Sequence, residues 1–267
     1  MVTIATPVPA RRIGPIRAVR HGLTLAWRAV VKIRRNPEQL LDVTLQPIVF
    51  VSMFVFLFGG AIAGGNRHQY LEFVLPGIMT QTIVFASMGT GLNLNTDITK
   101  GIFDRFRSLP IARTAPLIGL VLGDIIRYVA SLIVIILYGV LLGFRFTTNP
   151  FAALAGCGVI MLFSLALCWI WALAGLLAKS AQSMQALGFM IGFPLTFGSN
   201  VFVQTGTLPG WLQAWVKVNP VTQVTNAARG LMLGGPVATP VWHTLAWSLG
   251  IFAVFGPLAA RAYRRRA

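Results

Sequence analysis

Apolar residues recur along this chain in two ways. From Gly14 to Arg35 they fall at three- and four-residue steps (Ile16, Val19, Leu23, Trp27, Val30, Ile33), and Arg17, Arg20, Thr24, Arg28 and Arg35 fall largely on the other side. That period predicts an amphipathic helix. Its basic polar face, close before a long apolar run, places it flat in a membrane interface; a soluble amphipathic helix has the same period. Asn36-Pro37 ends it, because the residue before proline is pushed out of the α region. Residues 1–13 show no period and read as disordered.

Beyond Pro37 the runs become longer than a soluble helix needs. A bilayer-crossing helix takes about 20 apolar residues, and six stretches qualify: 40–60, 73–94, 117–143, 152–178, 184–203 and 241–260. The first is rich in phenylalanine (Phe50, Phe54, Phe56, Phe58), with Asp42, Thr44 and Gln46 near its start. The fifth is interrupted by Gly188, Gly192, Pro194 and Gly198, which suit either a bend or close helix packing. Between the last two, residues 204–240 are semi-apolar but broken at Asn219-Pro220. Trp211, Leu212 and Trp215 make one apolar face, and Val221, Val224, Ala228 and Leu231 a second. Neither half is long enough to span. They predict two short helices at, or dipping into, the outer leaflet; a plain surface loop is the other reading.

Composition agrees with lipid as the solvent. The 267 residues are 56% hydrophobic and 10% charged, against roughly 25% charged in soluble domains, and the mean hydropathy is +0.75. The net charge of +16 does not point to nucleic acid, because the basic residues sit at the ends of apolar runs. By count, 17 Lys and Arg fall on one side of the six stretches and four on the other, with Arg127 inside a span. The positive-inside bias then puts both termini in the cytoplasm. The basic first 35 residues lack the continuous apolar core of a signal peptide. Cys157 and Cys168 are about 16 Å apart on one helix, too far for a disulfide. His21, His68 and His243 have no ligand spacing, so no metal site is expected.

One cytoplasmic elbow concentrates charge. Residues 96–113 hold two of the six acids and four of the 22 basic residues. Ile102, Phe103, Phe106 and Leu109 fall on one helical face, Asp104, Arg105 and Arg107 fan around the rest, and Pro110 stops the helix. That is a shape a partner's groove can grip, or a further interfacial helix. Phosphate-loop, zinc-protease, nucleophile-elbow and dinucleotide-binding signatures are all missing, and six acids leave little for paired-carboxylate chemistry. The chain reads as a non-enzyme with no catalytic residues, and energy for any work must come from a partner.

The run Gly101-Ile-Phe-Asp-Arg-Phe-Arg-Ser-Leu-Pro-Ile-Ala-Arg113, with Gly123-Asp124 and Arg127 after it, resembles the permease subunit of type-2 ABC exporters, closest to the daunorubicin/doxorubicin-resistance-type permeases of actinobacteria. Leu208-Pro-Gly-Trp-Leu212, Asn219-Pro-Val221 through Ala228-Arg229-Gly230, and Arg34-Arg35-Asn36-Pro37 fit the same family. The likeness runs in order through essentially the whole chain. It implies an all-α polytopic membrane protein with a tail and interfacial helix over 1–36, a six-span domain over 37–260, and a basic cytoplasmic tail over 261–267. Within the domain it implies a coupling helix near 96–113 and short re-entrant helices near 204–240. It implies a multi-pass protein of the bacterial plasma membrane, a second permease subunit (identical or related), and a separately encoded ATPase that carries ATP and Mg. By the same likeness Ile102, Phe103, Asp104, Arg105, Phe106, Arg107 and Leu109 are the ATPase-coupling residues, and the cargo is a hydrophobic or amphipathic drug, antibiotic or lipid moving outward.

Other polar residues carry two readings each. Asp124 and Arg127, three apart, pair on one helix, as a strut between elbow and third span or as an interfacial salt bridge. Gln46, Gln81 and Asn200, with Phe50 and Phe54, line a pathway or simply pack between helices. Lipid-linked glycan export, a non-transporting scaffold or sensor, and a membrane enzyme are the rival functions, the last disfavoured by the missing catalytic groups.

Overall fold

The computed structural model describes residues 37–62, 66–101 and 115–266, and every regular element among them is helical. The helix expected over 14–35 and the elbow residues 102–113 lie outside the described residues. α1 (Pro37–Met53) passes through one π-helical turn, Phe54–Phe58, into the short α2 (Gly59–Ile62). There follow α3 (Arg67–Thr99), α4 (Ala115–Leu141), α5 (Pro150–Leu177), α6 (Ala181–Phe197), α7 (Gly210–Val218), α8 (Pro220–Leu233) and α9 (Ala238–Arg266).

Local chemistry sets the helix starts. Asn66 accepts from the Gln69 N–H at 3.1 Å and Asn149 from the Ala152 N–H at 2.7 Å, each satisfying a first-turn donor. Ser180 and Ser183 form a reciprocal capping box at the head of α6. Pro150 and Pro220 occupy first-turn positions, where a missing N–H costs nothing. Gly143, at φ +107°, lets the Phe144 N–H fold back onto the Gly139 carbonyl at 2.8 Å and so ends α4.

α3, α4, α5 and α9 are long and apolar enough to cross a membrane. They cover the expected second, third, fourth and sixth spans. The expected first span is a shorter apolar stretch, Leu45–Phe58. The expected fifth span, 184–203, is cut short: α6 has 17 residues and ends at Phe197. Its last turn is satisfied from elsewhere, since Asn219 donates to the Leu195 and Gly198 carbonyls, both at 2.8 Å. Beyond Gly198 the chain turns irregularly up to residue 204. The two short helices expected in 204–240 are α7 and α8, broken at Asn219 as the sequence indicates.

α3 is the axis of the bundle: its most apolar stretch is 67% buried, against 22% for α9 at the periphery. α5 runs parallel to it, since Thr90 meets Cys168 and Asn95 meets Gly175 and Ala178 further along. The two backbones nearly touch, and a Cβ on Gly175 would strike the Gly91 carbonyl. α4 runs antiparallel on one flank (Ala86 to Arg127 and, at the far end, Leu75 against Gly139). α6 runs antiparallel on the other (Met88 against Gly188, Phe85 against Gly192). Leu141, Phe151, Met190 and Leu249 point outward from different helices. An apolar exterior of this extent belongs against lipid.

Candidate functional site

Asp124 and Arg127 pair across one turn of α4 at 2.9 Å. Asp124 also accepts the Thr90 hydroxyl of α3, and Arg127 donates to the Ala86 carbonyl of α3 at 2.5 Å. Thr90 lies 3.3 Å from the Cys168 thiol of α5, and the Tyr128 hydroxyl 3.2 Å from the same sulfur. One turn away the Trp171 indole donates to Ser87 at 3.0 Å. The charges are thus neutralised inside a polar node that ties α4 and α5 to α3. At the end of the same pair of helices, the Asn95 amide donates to the Gly175 and Ala178 carbonyls at 3.0 and 2.9 Å, covering carbonyls that the α5 terminus leaves open. α3 continues to Thr99, and Gly101, at φ +66°, turns the chain into the elbow.

A second node lies at the opposite end of α3. The Arg229 guanidinium of α8 donates to the Phe73 carbonyl at 2.8 Å and to the Asn200 and Val201 carbonyls at 2.8 and 3.0 Å. Its carbon stands 3.8 Å from the centre of the Phe73 ring, a cation–π contact. Five fixed donors let arginine collect carbonyls that an unwound segment leaves open. Asn200 is held again by Asn226, whose side-chain oxygen accepts from its amide at 2.6 Å, and by Thr222.

Among the pathway residues expected from sequence, Gln81, Asn200 and Phe54 are buried, Phe50 is half-buried, and Gln46 is exposed. Phe54 stacks on Phe202 at 4.0 Å, Phe202 lies 5.1 Å from Phe197, and Phe197 stacks on Phe193 at 4.2 Å. This aromatic ladder brings α1 to the end of α6. Gln46 lies two turns from Phe54 and stands apart from it. Asp124 and Arg127 are together, as their spacing predicts. The seven elbow residues, Ile102 through Leu109, lie outside the described residues.

Sequence reasoning missed Thr90, Cys168, Tyr128, Phe202 and the cage around Arg229. Arg229 did carry a signal, as one of only two charged residues, with Lys217, in the semi-apolar stretch 204–240. The other partners are ordinary residues, and only the helix packing selects them.

Long apolar helices with outward apolar side chains and polar nodes pinned inside make this a helical integral-membrane domain. Residues 21–233 match the ABC-2 type transporter family, and the chain belongs to that family. It is 41% identical over 249 residues, covering 93% of this chain and 88% of the relative, to the daunorubicin resistance ABC transporter permease protein DrrB1 of Streptomyces coeruleorubidus. It is 25% identical over 238 residues (89% and 86%) to the probable doxorubicin resistance ABC transporter permease protein DrrC of Mycobacterium tuberculosis. It is 26% identical over 217 residues (80% and 74%) to the putative transport permease ycf38 of Cyanophora paradoxa. These relatives are named as permeases, the transport subunits rather than the ATPases.

Proposed function

We propose that this chain is the membrane permease subunit of an ATP-driven drug exporter. The observation that carries the reading is the 41% identity, over nearly the full length of both chains, to a permease named for daunorubicin resistance. The protein crosses the bacterial plasma membrane six times with both termini in the cytoplasm, α1–α2 and α6 supplying the two shorter spans and α7–α8 a re-entrant hairpin on the outer side. Domain limits follow the sequence reading: 1–36, 37–260 and 261–267. A separate ATPase binds ATP and Mg and grips the elbow through Ile102, Phe103, Asp104, Arg105, Phe106, Arg107 and Leu109. Two permease subunits form one pathway. The Asp124–Arg127 node, joined to α3 and α5, transmits elbow movement into the bundle; its bonds to two neighbouring helices support that role. Gln81 and Asn200, beside the aromatic ladder through Phe50 and Phe54, line the outer part of the route, and Gln46 its start.

The test is reconstitution with the partner ATPase in vesicles, measuring daunorubicin movement on ATP addition. Transport is expected in the wild type, and loss of it on scrambling residues 101–110 with the complex level in the membrane unchanged. Transport by the scrambled chain would overturn the coupling assignment.

A further inference from the structure

We propose that Gln81, Asn200 and Thr225 form a polar subsite that takes the hydroxyl and carbonyl groups of an amphipathic cargo; the proposal rests on the exporter reading above. Both amide atoms of Gln81, the side-chain oxygen of Asn200 and the Thr225 hydroxyl have no hydrogen-bond partner among the described residues. The three residues are 2%, 6% and 0% exposed. Leaving a buried polar group unpaired costs about 1–3 kcal/mol, and a bilayer interior offers no water as substitute. Most buried hydroxyls of this chain avoid that cost. Thr80, Thr196, Thr244 and Ser248 each donate to the carbonyl one turn back, and Ser87 and Ser199 to the one three residues back. Thr225 does not.

Helical register turns Gln81 and Thr225 toward the segment that carries Asn200. Gln81 lies on one stripe of α3, a turn from Gly77 and a turn from Phe85. Gly77 abuts Val201, and Phe85 packs toward Gly192 and Phe189. Gln81 therefore faces the end of α6 and the irregular turn that carries Asn200. On α8, Thr222, Asn226 and Arg229 all bond to Asn200, and Thr225 falls on the same stripe between them. α8 starts at the end of α6, where Asn219 holds the Leu195 carbonyl, and reaches Phe73 near the start of α3 at Arg229; it therefore runs antiparallel to α3, and Thr225 sits a turn back from Arg229, toward Gln81.

The chemistry of the three groups defines the ligand. Gln81 and Thr225 donate, all three accept, and none is charged. The neighbouring Arg229 is committed to three carbonyls. Neutral groups that both donate and accept, or accept alone, fit such a set. The Phe54–Phe202–Phe197 ladder begins two residues from Asn200 and supplies a flat apolar wall for the rest of the molecule.

The experiment measures binding of daunorubicin, rich in hydroxyls and carbonyls, to the purified full-length permease–ATPase complex by fluorescence. Tetraphenylphosphonium, which has no hydrogen-bonding group, serves as the contrast. In Gln81→Leu and Thr225→Val the daunorubicin Kd is expected to rise about tenfold, the loss of one or two hydrogen bonds, with tetraphenylphosphonium affinity kept and thermal stability equal or higher. The near-isosteric Thr225→Val carries the test if Gln81→Leu does not fold. Unchanged daunorubicin affinity, equal loss for both probes, or no daunorubicin binding by the wild type overturns the subsite. ATP hydrolysis by the wild-type complex is read separately: its absence sinks the exporter reading, whereas hydrolysis with unchanged variant affinities sinks only the subsite.

Discussion

Asp124 shows how little polarity the bundle tolerates without a partner. Its carboxylate has Arg127 and Thr90, and Arg127 has the Ala86 carbonyl besides. Asp124→Asn keeps the shape and removes the negative charge that stands 2.9 Å from the Arg127 guanidinium. Breaking one side of a buried pair costs about 3–5 kcal/mol. The Arg127 side chain is 18% exposed and keeps its carbonyl, so a loss near the lower end is expected, read as a lower melting temperature in detergent. The double variant Asp124→Leu with Arg127→Leu should recover most of that stability, since apolar replacement of a buried pair is often neutral or better. Transport should be lost in both variants; transport by the double variant would reduce the pair to packing. Gly175→Ala is the apolar counterpart. Its new methyl meets Gly91 backbone rather than a flexible side chain, so α3 and α5 must part. Overpacking of this kind costs about 1–3 kcal/mol, and a melting temperature equal to wild type would contradict the close crossing.

Among the elements, α8 is defined by what it holds. Asn219 caps it through the Val221 N–H at 2.9 Å and ties its start to the end of α6, and Arg229 ties its middle to α3 and to the irregular 198–204 turn. Lysine keeps the charge but not the planar fork that reaches three carbonyls. Arg229→Lys should therefore speed hydrogen exchange in residues 198–204 by several-fold while exchange in α5 stays as in wild type. No change in that turn would show that the cage does not order it. α7 faces the other way, with Trp211 and Trp215 exposed at 76% and 50%. The two share one exposed face, as their spacing predicts.

For the molecule as a whole, orientation is the property most open to direct measurement. The basic residues mass on one side of the apolar stretches, and the positive-inside bias then predicts the tail after α9 in the cytoplasm. A reporter that is active only in the cytoplasm, fused after Ala267, should be active; an inactive fusion alongside an active periplasmic one would overturn the six-span topology. Much of this was open to reading along the chain. Apolar runs marked the ends of α4 and α5 within two residues and those of α3 and α9 within six, because bilayer thickness sets the least length a span can have. Asn219-Pro220 marked the break between α7 and α8, because proline's ring acts on its immediate neighbours. The Asp124–Arg127 pair was legible because its two members share one helix. What the sequence could not supply was any partner distant along the chain: Thr90 for Asp124, the Phe73 and Val201 carbonyls for Arg229, Gly91 for Gly175, and the early end of α6, imposed by an asparagine over twenty residues away. Local sterics and solvent are written into each short stretch of chain. Which helix faces which, and hence which polar atoms are satisfied and which stay open, depends on all the packed surfaces together, and only the tertiary structure decided it.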